Sequence, residues 1–170
     1  MERHSKERVP TLEIYTDGSC KKLGTVTFGA WSFVVVRYNN LIYQAFGAED
    51  MTTNQRMELT AIANALEYAQ SVRRPVERVR IYSDSAYVIN CFDQEWYVNW
   101  MKNGWISSNG KEVANRDLWL KIIPFFDNYW YTFSKVPAHK DCFYNLMADE
   151  LAQNEADKRK KNWRGIRKDG

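Results

Sequence analysis

The sequence lacks the features that identify several common classes of protein. Its 170 residues include three cysteines, Cys20, Cys91 and Cys142, which are far apart and form no Cys-x-x-Cys pair. We therefore expect neither a disulfide framework nor a structural zinc site. The longest apolar stretch, at residues 33–36, is far too short to span a bilayer, and the first residues do not have the pattern of a signal peptide. We expect no membrane association, and a reducing, cytoplasmic location.

The composition is that of a globular protein with a single domain. The chain is 45% hydrophobic and 26% charged, and its length is sufficient for one sizeable core. We find no internal repeat and no linker. We expect a polar N-terminal tail at residues 1–10, one domain at residues 11–157 and a basic C-terminal tail at residues 158–170. We also expect a monomer.

The positive charge is concentrated near the C-terminal end of the sequence. The net charge is +3, which alone does not indicate a nucleic-acid partner, but residues 158–168 contain seven lysines and arginines and one tryptophan. Such a run is usually solvated and disordered, and it also suits contacts with phosphates. Both interpretations stay open on the sequence alone.

Hydrophobic periodicity predicts alternating blocks of strand and helix. Asp17-Gly18-Ser19 is expected to end the first strand, and Asn39-Asn40 to form a hairpin turn. Thr52 or Thr53 is the expected N-cap of the first helix, which ends before Pro75. The strands are predicted at residues 11–16, 28–37, 41–48, 79–83 and 131–136, and the helices at 53–74, at 87–130 with interruptions at 103–104 and 109–110, and at 145–158.

This order predicts an α/β fold with a five-stranded mixed sheet flanked by helices. The first three strands can form an antiparallel meander, and the two later strands, each preceded by a helix, can join in parallel by right-handed crossovers. If they extend the sheet beside the first strand, the carboxyl ends of strands one and four are neighbours. In such sheets, ligands bind at the carboxyl ends of neighbouring strands where the strand order reverses.

Four acidic residues are expected near this position. Asp17 and Asp84 follow strands one and four, Glu58 lies early in the first helix, and Asp149 lies in the last helix. Carboxylates in close proximity repel one another unless divalent cations neutralise them. Mg²⁺ prefers such oxygen ligands, and a pair of ions can activate a water and stabilise a leaving oxygen. Taken singly, each acid also suits a plain role as a turn residue, a helix cap or a solvated helix acid.

Four segments in order resemble the motifs of type 1 ribonuclease H, in its bacterial form. The resemblance covers roughly residues 11–157 and implies a ribonuclease H-like fold. The segments are Tyr15-Thr16-Asp17-Gly18-Ser19-Cys20, Thr52-Thr53-Asn54-Gln55-Arg56-Met57-Glu58-Leu59, Tyr82-Ser83-Asp84-Ser85-Ala86-Tyr87-Val88, and Val136-Pro137-Ala138-His139 followed by Asn145 and Ala148-Asp149-Glu150-Leu151-Ala152.

The resemblance implies a role for each matching residue. The four acids match the family's metal-binding carboxylates, and His139 matches a loop histidine that moves protons or helps product leave. Mg²⁺ is the implied cofactor, with Mn²⁺ as a substitute. Thr53 and Asn54 match residues that hold a DNA phosphate, and Gln55 matches a position near the RNA 2′-hydroxyls. The residues implied to contact substrate are Gly18, Cys20, Thr53, Asn54, Gln55, Trp96, Trp100, Trp105 and Asn115.

The segment 96–119 resembles the family's hybrid-binding protrusion, with two departures from the family pattern. Most of its four tryptophans, which include Trp119, are expected to pack the helices together. Between Trp100 and Asn115 the sequence contains only two lysines, Lys102 and Lys111, where the family is often rich in lysine. The loop after the first motif also lacks the common Asn-Pro-Gly run.

The resemblance implies an endoribonuclease that cuts the RNA strand of RNA–DNA hybrids by two-metal-ion catalysis and leaves 5′-phosphate and 3′-hydroxyl ends. Two alternatives come from other classes. A hybrid-binding module without cleavage would be expected to have lost a carboxylate, and all four are present. A nuclease or strand-transfer enzyme acting on DNA is opposed by the Thr-Asn-Gln segment and the tryptophan-rich insertion.

Overall fold

The computed structural model describes residues 8–136 and 142–168, with side chains to residue 165. The strands are β1 (Thr11–Leu23), β2 (Val26–Arg37), β3 (Asn40–Asp50), β4 (Arg78–Ser83) and β5 (Tyr131–Lys135). The helices are α1 (Asn54–Val72), α2 (Ala86–Asp93), α3 (Trp96–Lys102), α4 (Arg116–Ile122) and α5 (Phe143–Lys168), with a short 3₁₀ turn at Ile123–Phe125.

The five strands form one mixed sheet in the order β3-β2-β1-β4-β5. The pairs β1–β2 and β2–β3 are antiparallel, and the pairs β1–β4 and β4–β5 are parallel. This confirms the predicted architecture, including the position of β4 beside β1. The ends of β1 and β4 are therefore neighbours, as the topology requires for a shared site.

The core lies on both faces of the sheet because side chains alternate along each strand. Leu12 and Ile14 of β1 point to the face covered by α1, α2 and α4, where Leu59 and Ile62 are also buried. Tyr15 points to the opposite face, which α5 covers. Trp100, Trp105 and Trp119 are 8%, 4% and 0% exposed and belong to the larger core, which confirms the prediction that most of these tryptophans pack helices together.

The first strand is longer than predicted. Its parallel pairing with β4 ends at Tyr15, but its antiparallel pairing with β2 continues through Asp17 opposite Ser32 to Leu23 opposite Val26. The prediction that Asp17-Gly18-Ser19 ends the strand is therefore wrong. Asp17 lies within a strand that is held on one side by β2.

The turn between β2 and β3 and the interruptions between α3 and α4 lie close to their predicted positions. The β2–β3 turn has positive φ at Tyr38 (49°) and Asn39 (61°), one residue earlier than expected. Between α3 and α4 the chain is not helical, because Gly104, Trp105 and Gly110 all have positive φ. Both predicted Asn-Gly interruptions are therefore present, but the segment between them forms a loop.

The last helix is also longer than predicted, and this changes the description of the basic segment. α5 continues to Lys168, although the sequence suggested a polar tail from residue 158. Arg159 forms an ion pair with Asp50 at 2.9 Å, and the ring of Trp163 packs 5.8 Å from that of Phe28. These tertiary contacts hold the segment as helix, and a charge pattern alone does not reveal them.

Among the described residues, no helix is both long enough and apolar enough to cross a membrane. The three cysteines are free thiols.

Candidate active site

The start of α1 packs directly on β1, which brings Glu58 to the strand that carries Asp17. A Cβ atom added to Gly18 would lie 2.4 Å from the Glu58 backbone nitrogen, so no other residue fits at this position. At Gly29 of β2, an added Cβ would lie 2.1 Å from the Thr52 methyl group. The two glycines thus allow the helix to lie against the sheet next to Asp17.

Hydrogen bonds fix the point where the chain enters α1. Thr53 is the N-cap, and its hydroxyl accepts a bond from the Arg56 N–H at 3.1 Å. Thr27 accepts from the Thr52 N–H and donates to the Thr52 carbonyl, both at 2.9 Å. The Cys20 thiol also donates to that carbonyl, at 3.6 Å. Cys20 therefore supports the position of α1 from within β1.

Asp84 follows the end of β4 without serving as a helix cap. The N-cap of α2 is Ser85, whose hydroxyl accepts from the Val88 N–H at 3.4 Å, and whose N–H donates to the Ser83 hydroxyl at 3.1 Å. Since these hydroxyls satisfy the local backbone, the exposed Asp84 carboxylate is not needed for capping.

A buried serine sets the position of α5. Ser32, which pairs with Asp17 across the β1–β2 ladder, is fully buried, and its hydroxyl donates to the Ala148 carbonyl at 2.5 Å. This bond holds Asp149 beside Asp17. One turn further along, the Gln153 amide donates to both Asp149 oxygens, at 2.9 and 3.0 Å.

The four acids are linked by electrostatic interactions of Asp17 with Asp149 and Asp84, and of Glu58 with Asp84. Burial, a hydrogen bond to the Asp149 carboxyl and the charge of Asp84 raise the pKa of Asp17 to about 8. A 2.9 Å hydrogen bond from the Gly18 N–H acts in the opposite direction. Burial likewise raises the pKa of Glu58, with a smaller contribution from Asp84, and the Ser85 hydroxyl opposes it. Burial and the neighbouring carboxyls thus disfavour the ionised forms of Asp17 and Glu58.

This arrangement has the chemistry of a divalent-cation site, although its side chains are not gathered as ligands. Within residues 8–136 and 142–168, no three His, Cys, Asp or Glu side chains converge as they would around one ion. Carboxylates repel one another unless a cation neutralises them, which is a sufficient reason for this spacing. An oxygen-only donor set of this charge fits Mg²⁺.

Comparison with known proteins agrees with this fold and these motifs. The family model described as RNase H matches residues 10–157. The chain belongs to the RNase H family. It is 41% identical over 143 residues to the ribonuclease H of Chlorobaculum parvum, covering 84% of this chain and 93% of that relative. It is 41% identical over 150 residues to that of Acetivibrio thermocellus, with coverages of 88% and 97%. The chain is accordingly an enzyme of the ribonuclease H class.

A solved structure shows the same fold at low sequence identity. LC11-RNase H1, determined in complex with an RNA/DNA hybrid, matches with a TM-score of 0.64 at 22% identity, covering 87% of this chain and 98% of that one.

Several residues implied by the RNase H resemblance to bind substrate lie on the α1 side of the acids. Thr53 and Asn54 are exposed and Gln55 is half-buried, so these side chains border solvent at the start of α1. Trp96 is half-buried, and its ring N–H donates to the Gln94 side chain at 2.9 Å. The burial of Trp100 and Trp105 favours packing over substrate contact.

A cavity of about 590 Å³ borders this tryptophan cluster and is lined in part by Tyr87, Trp96 and Trp100. The predicted histidine, His139, lies outside the described residues.

An arginine quoted in the second RNase H motif has a structural role that the sequence analysis missed. Arg56 forms ion pairs with Glu49 at 3.0 Å and Asp117 at 2.9 Å, and donates to the Asn115 amide oxygen at 3.3 Å. Asn115 has a positive φ of 61° at the start of α4. Arg56 therefore ties α1 to β3 and α4, and fixes Asn115 relative to the start of α1. The sequence feature that could have indicated this role is the position of Arg56 in the motif, between Gln55 and Glu58.

Proposed function

We propose that this protein hydrolyses the RNA strand of RNA–DNA hybrids with two Mg²⁺ ions, for which Mn²⁺ can substitute, and leaves 5′-phosphate and 3′-hydroxyl ends. The observation that carries the proposal is the interaction of Asp17 with Asp149 and Asp84, and of Glu58 with Asp84, which links acids from four separate segments of the chain. The named ribonuclease H relatives and the hybrid bound to LC11-RNase H1 support the substrate.

In this proposal the chain's own residues bind and orient. Asp17, Glu58, Asp84 and Asp149 hold the ions, which when bound supply an activated water and stabilise the leaving oxygen. Gln153 orients the Asp149 carboxylate through its two hydrogen bonds.

Substrate contacts are proposed on the α1 side of the acids. Thr53 and Asn54 bind a DNA phosphate, and Gln55 contacts the RNA 2′-hydroxyls, the group that distinguishes RNA from DNA. Asn115, held by Arg56, extends this surface. His139 moves a proton or assists product release.

A substrate panel tests the proposal. RNA–DNA hybrid, duplex RNA and duplex DNA, each end-labelled, are incubated with the protein in Mg²⁺, in Mn²⁺ and in EDTA. We expect cleavage of the RNA strand of the hybrid in either metal and none in EDTA. The new 5′ ends should be substrates for a 5′-phosphate-dependent exonuclease without prior phosphorylation. Cleavage in EDTA, or equal cleavage of duplex DNA, would contradict the proposal.

The variant Asp17→Asn separates cleavage from binding. It should abolish cleavage and retain hybrid affinity, because the proposed phosphate contacts are not altered. A wild-type protein that binds hybrid and cuts nothing would support the binding-module alternative. Sedimentation of the active protein tests the expectation of a monomer.

A further inference from the structure

Helix α5 extends beyond the part of the chain that matches the RNase H family. The match ends at residue 157, and the helix continues through residues 158–168, which we call the α5 arm. The arm contains seven lysines and arginines and no acidic residue. A cationic segment at the carboxyl end of a helix is also favourable for the helix itself.

Tertiary contacts give the α5 arm a defined position on the molecule. Arg159 pairs with Asp50 of β3, and Trp163 packs against Phe28 of β2. Phe28 in turn pairs with Lys21 across the β1–β2 ladder. The arm therefore lies beside the end of the β1–β2 hairpin that carries Lys21 and Lys22.

Both elements that carry acids of the site run toward this end of the molecule. On β1, Lys21 lies four residues beyond Asp17, which corresponds to about 13 Å of strand. On α5, Lys160 lies eleven residues beyond Asp149, which is about three helical turns and about 16 Å. Lys160 thus lies close to the helix face that carries Asp149. Arg164 follows one turn later, and both it and Lys161 are exposed.

The position of these cations suits a duplex that extends away from the acids. A separation of about 16 Å corresponds to about five nucleotides at 3.4 Å per step. The segment 96–119, which resembles the family's hybrid-binding protrusion, contains only two lysines between Trp100 and Asn115, Lys102 and Lys111. The α5 arm, with seven lysines and arginines, carries more positive charge than that segment.

We propose that the α5 arm is part of the hybrid-binding surface, and that Lys160, Lys161 and Arg164 contact phosphates about five to seven nucleotides from the scissile bond. The proposal rests on the proposed function, since the occupant is the same hybrid. The Trp163 ring packs against Phe28 and thereby holds the arm in place. Neutralising charges is therefore a cleaner test than deleting the arm, which would also remove a packing contact.

The first experiment compares the wild type with the double variant Lys161→Gln/Arg164→Gln, whose altered side chains are both exposed and remove no packing. On a hybrid of about 18 base pairs, we expect KM to rise about three- to tenfold with kcat nearly unchanged, as for an interaction made equally in ground and transition states. Hybrid affinity, measured by anisotropy in the Asp17→Asn background, should show a salt slope shallower by about 0.9 for each lost phosphate contact.

The control is Arg74→Gln/Arg80→Gln, which removes the same charge from two exposed positions, one before β4 and one within it. Lys160→Arg should keep wild-type KM. A hybrid of about six base pairs centred on the cut cannot reach the arm, so the test variant should match the wild type on it.

Unchanged KM and salt slope in the double variant would show that the arm is merely solvated. An equal loss in the control would assign the effect to net charge and would also overturn the proposal. If the wild type does not cleave hybrid at all, the proposed function fails, but the binding and salt-slope comparison still tests the arm.

Discussion

Replacing Asp17 by asparagine should stabilise the protein in the absence of divalent ions, although it removes a residue proposed as essential. Asp17 is 6% exposed and interacts with the acidic side chains of Asp149 and Asp84. Burial and like charge therefore disfavour its ionised form in the folded protein. Asparagine has nearly the same shape and no charge, and its amide oxygen can still accept the bond from the Gly18 N–H.

The magnitude follows from the raised pKa. Each pKa unit corresponds to about 1.4 kcal/mol, so a carboxyl whose pKa rises from 3.8 to about 8 lowers the free energy of unfolding at pH 7 by up to about 4 kcal/mol. We expect the variant to recover roughly half of this, about 2 kcal/mol, because Asp149 and Asp84 can relax when their neighbour is neutral. For a chain of this length the melting temperature should rise by roughly 4–8 °C.

The pH dependence gives the sign. Because the native state binds the Asp17 proton more tightly than the unfolded chain, the contribution of this residue to stability falls as pH rises from about 4 to 8. The difference between Asp17→Asn and wild type should thus be greatest near pH 8 and vanish near pH 4. Urea unfolding in EDTA across this range measures it.

Two comparisons decide the interpretation. Glu150→Gln, which neutralises an exposed acid on α5 next to Asp149, should change stability little at any pH. Added Mg²⁺ should stabilise the wild type more than Asp17→Asn, since a ligand stabilises the state that binds it. A variant that is less stable than wild type at pH 8 in EDTA would refute the reasoning.

Three further outcomes are expected. His139→Ala should slow turnover by about 10²–10⁴-fold if the side chain carries a proton directly; single-turnover and steady-state rates will show whether a smaller loss lies in product release, and unchanged rates would remove it from the site. Gly18→Ala should destabilise the fold by about 1–3 kcal/mol in urea titrations and impair cleavage, because its Cβ would displace the Glu58 backbone; wild-type stability would contradict the close packing. Glu77→Gln should lower the free energy of unfolding by about 3 kcal/mol at pH 7, because it breaks a buried ion pair with Arg37. Burial raises the pKa of Glu77, but the hydrogen bonds from Arg37 outweigh burial and leave this pKa below its ordinary value. The loss of stability should therefore shrink as pH falls below about 4, and a loss independent of pH would argue against the ion pair.

The sequence predicted the sheet correctly because its order depends on local patterns and general connection rules. Alternation identified the five strands, and the helix before each later strand predicted that both extend the sheet in parallel, as β4 does beside β1 and β5 beside β4. The lengths of β1 and α5 depended on partners distant in sequence. β1 continues past Asp17 because β2 pairs with it, and α5 continues past residue 158 because Asp50 and Phe28 contact it.

The candidate site was predictable to the level of its acids, and less so for the residues that support them. Asp17, Glu58, Asp84 and Asp149 were recognisable as motif residues of a type suited to one chemistry. Ser32 was not, because a serine inside an apolar strand shows no sign of the carbonyl that it contacts on α5. The contacts of Arg56 with β3 and α4 likewise require the tertiary structure.

Because Asp17 lies inside β1, its backbone is held more rigidly than that of Asp84. The Asp17 backbone is paired with Ser32 in a ladder that continues to Leu23, so this acid has little room to yield. Asp84, by contrast, is exposed beyond the end of β4, where backbone ladder bonds give way to the hydroxyl contacts of Ser83 and Ser85. Adjustment to a bound cation should therefore occur at Asp84 and the first turn of α2, while β1 acts as the fixed reference. During a Mg²⁺ titration, the amide chemical shifts of residues 84–88 should change most, because their backbone moves. The amide shifts of β1 should change less, and chiefly because of the added charge.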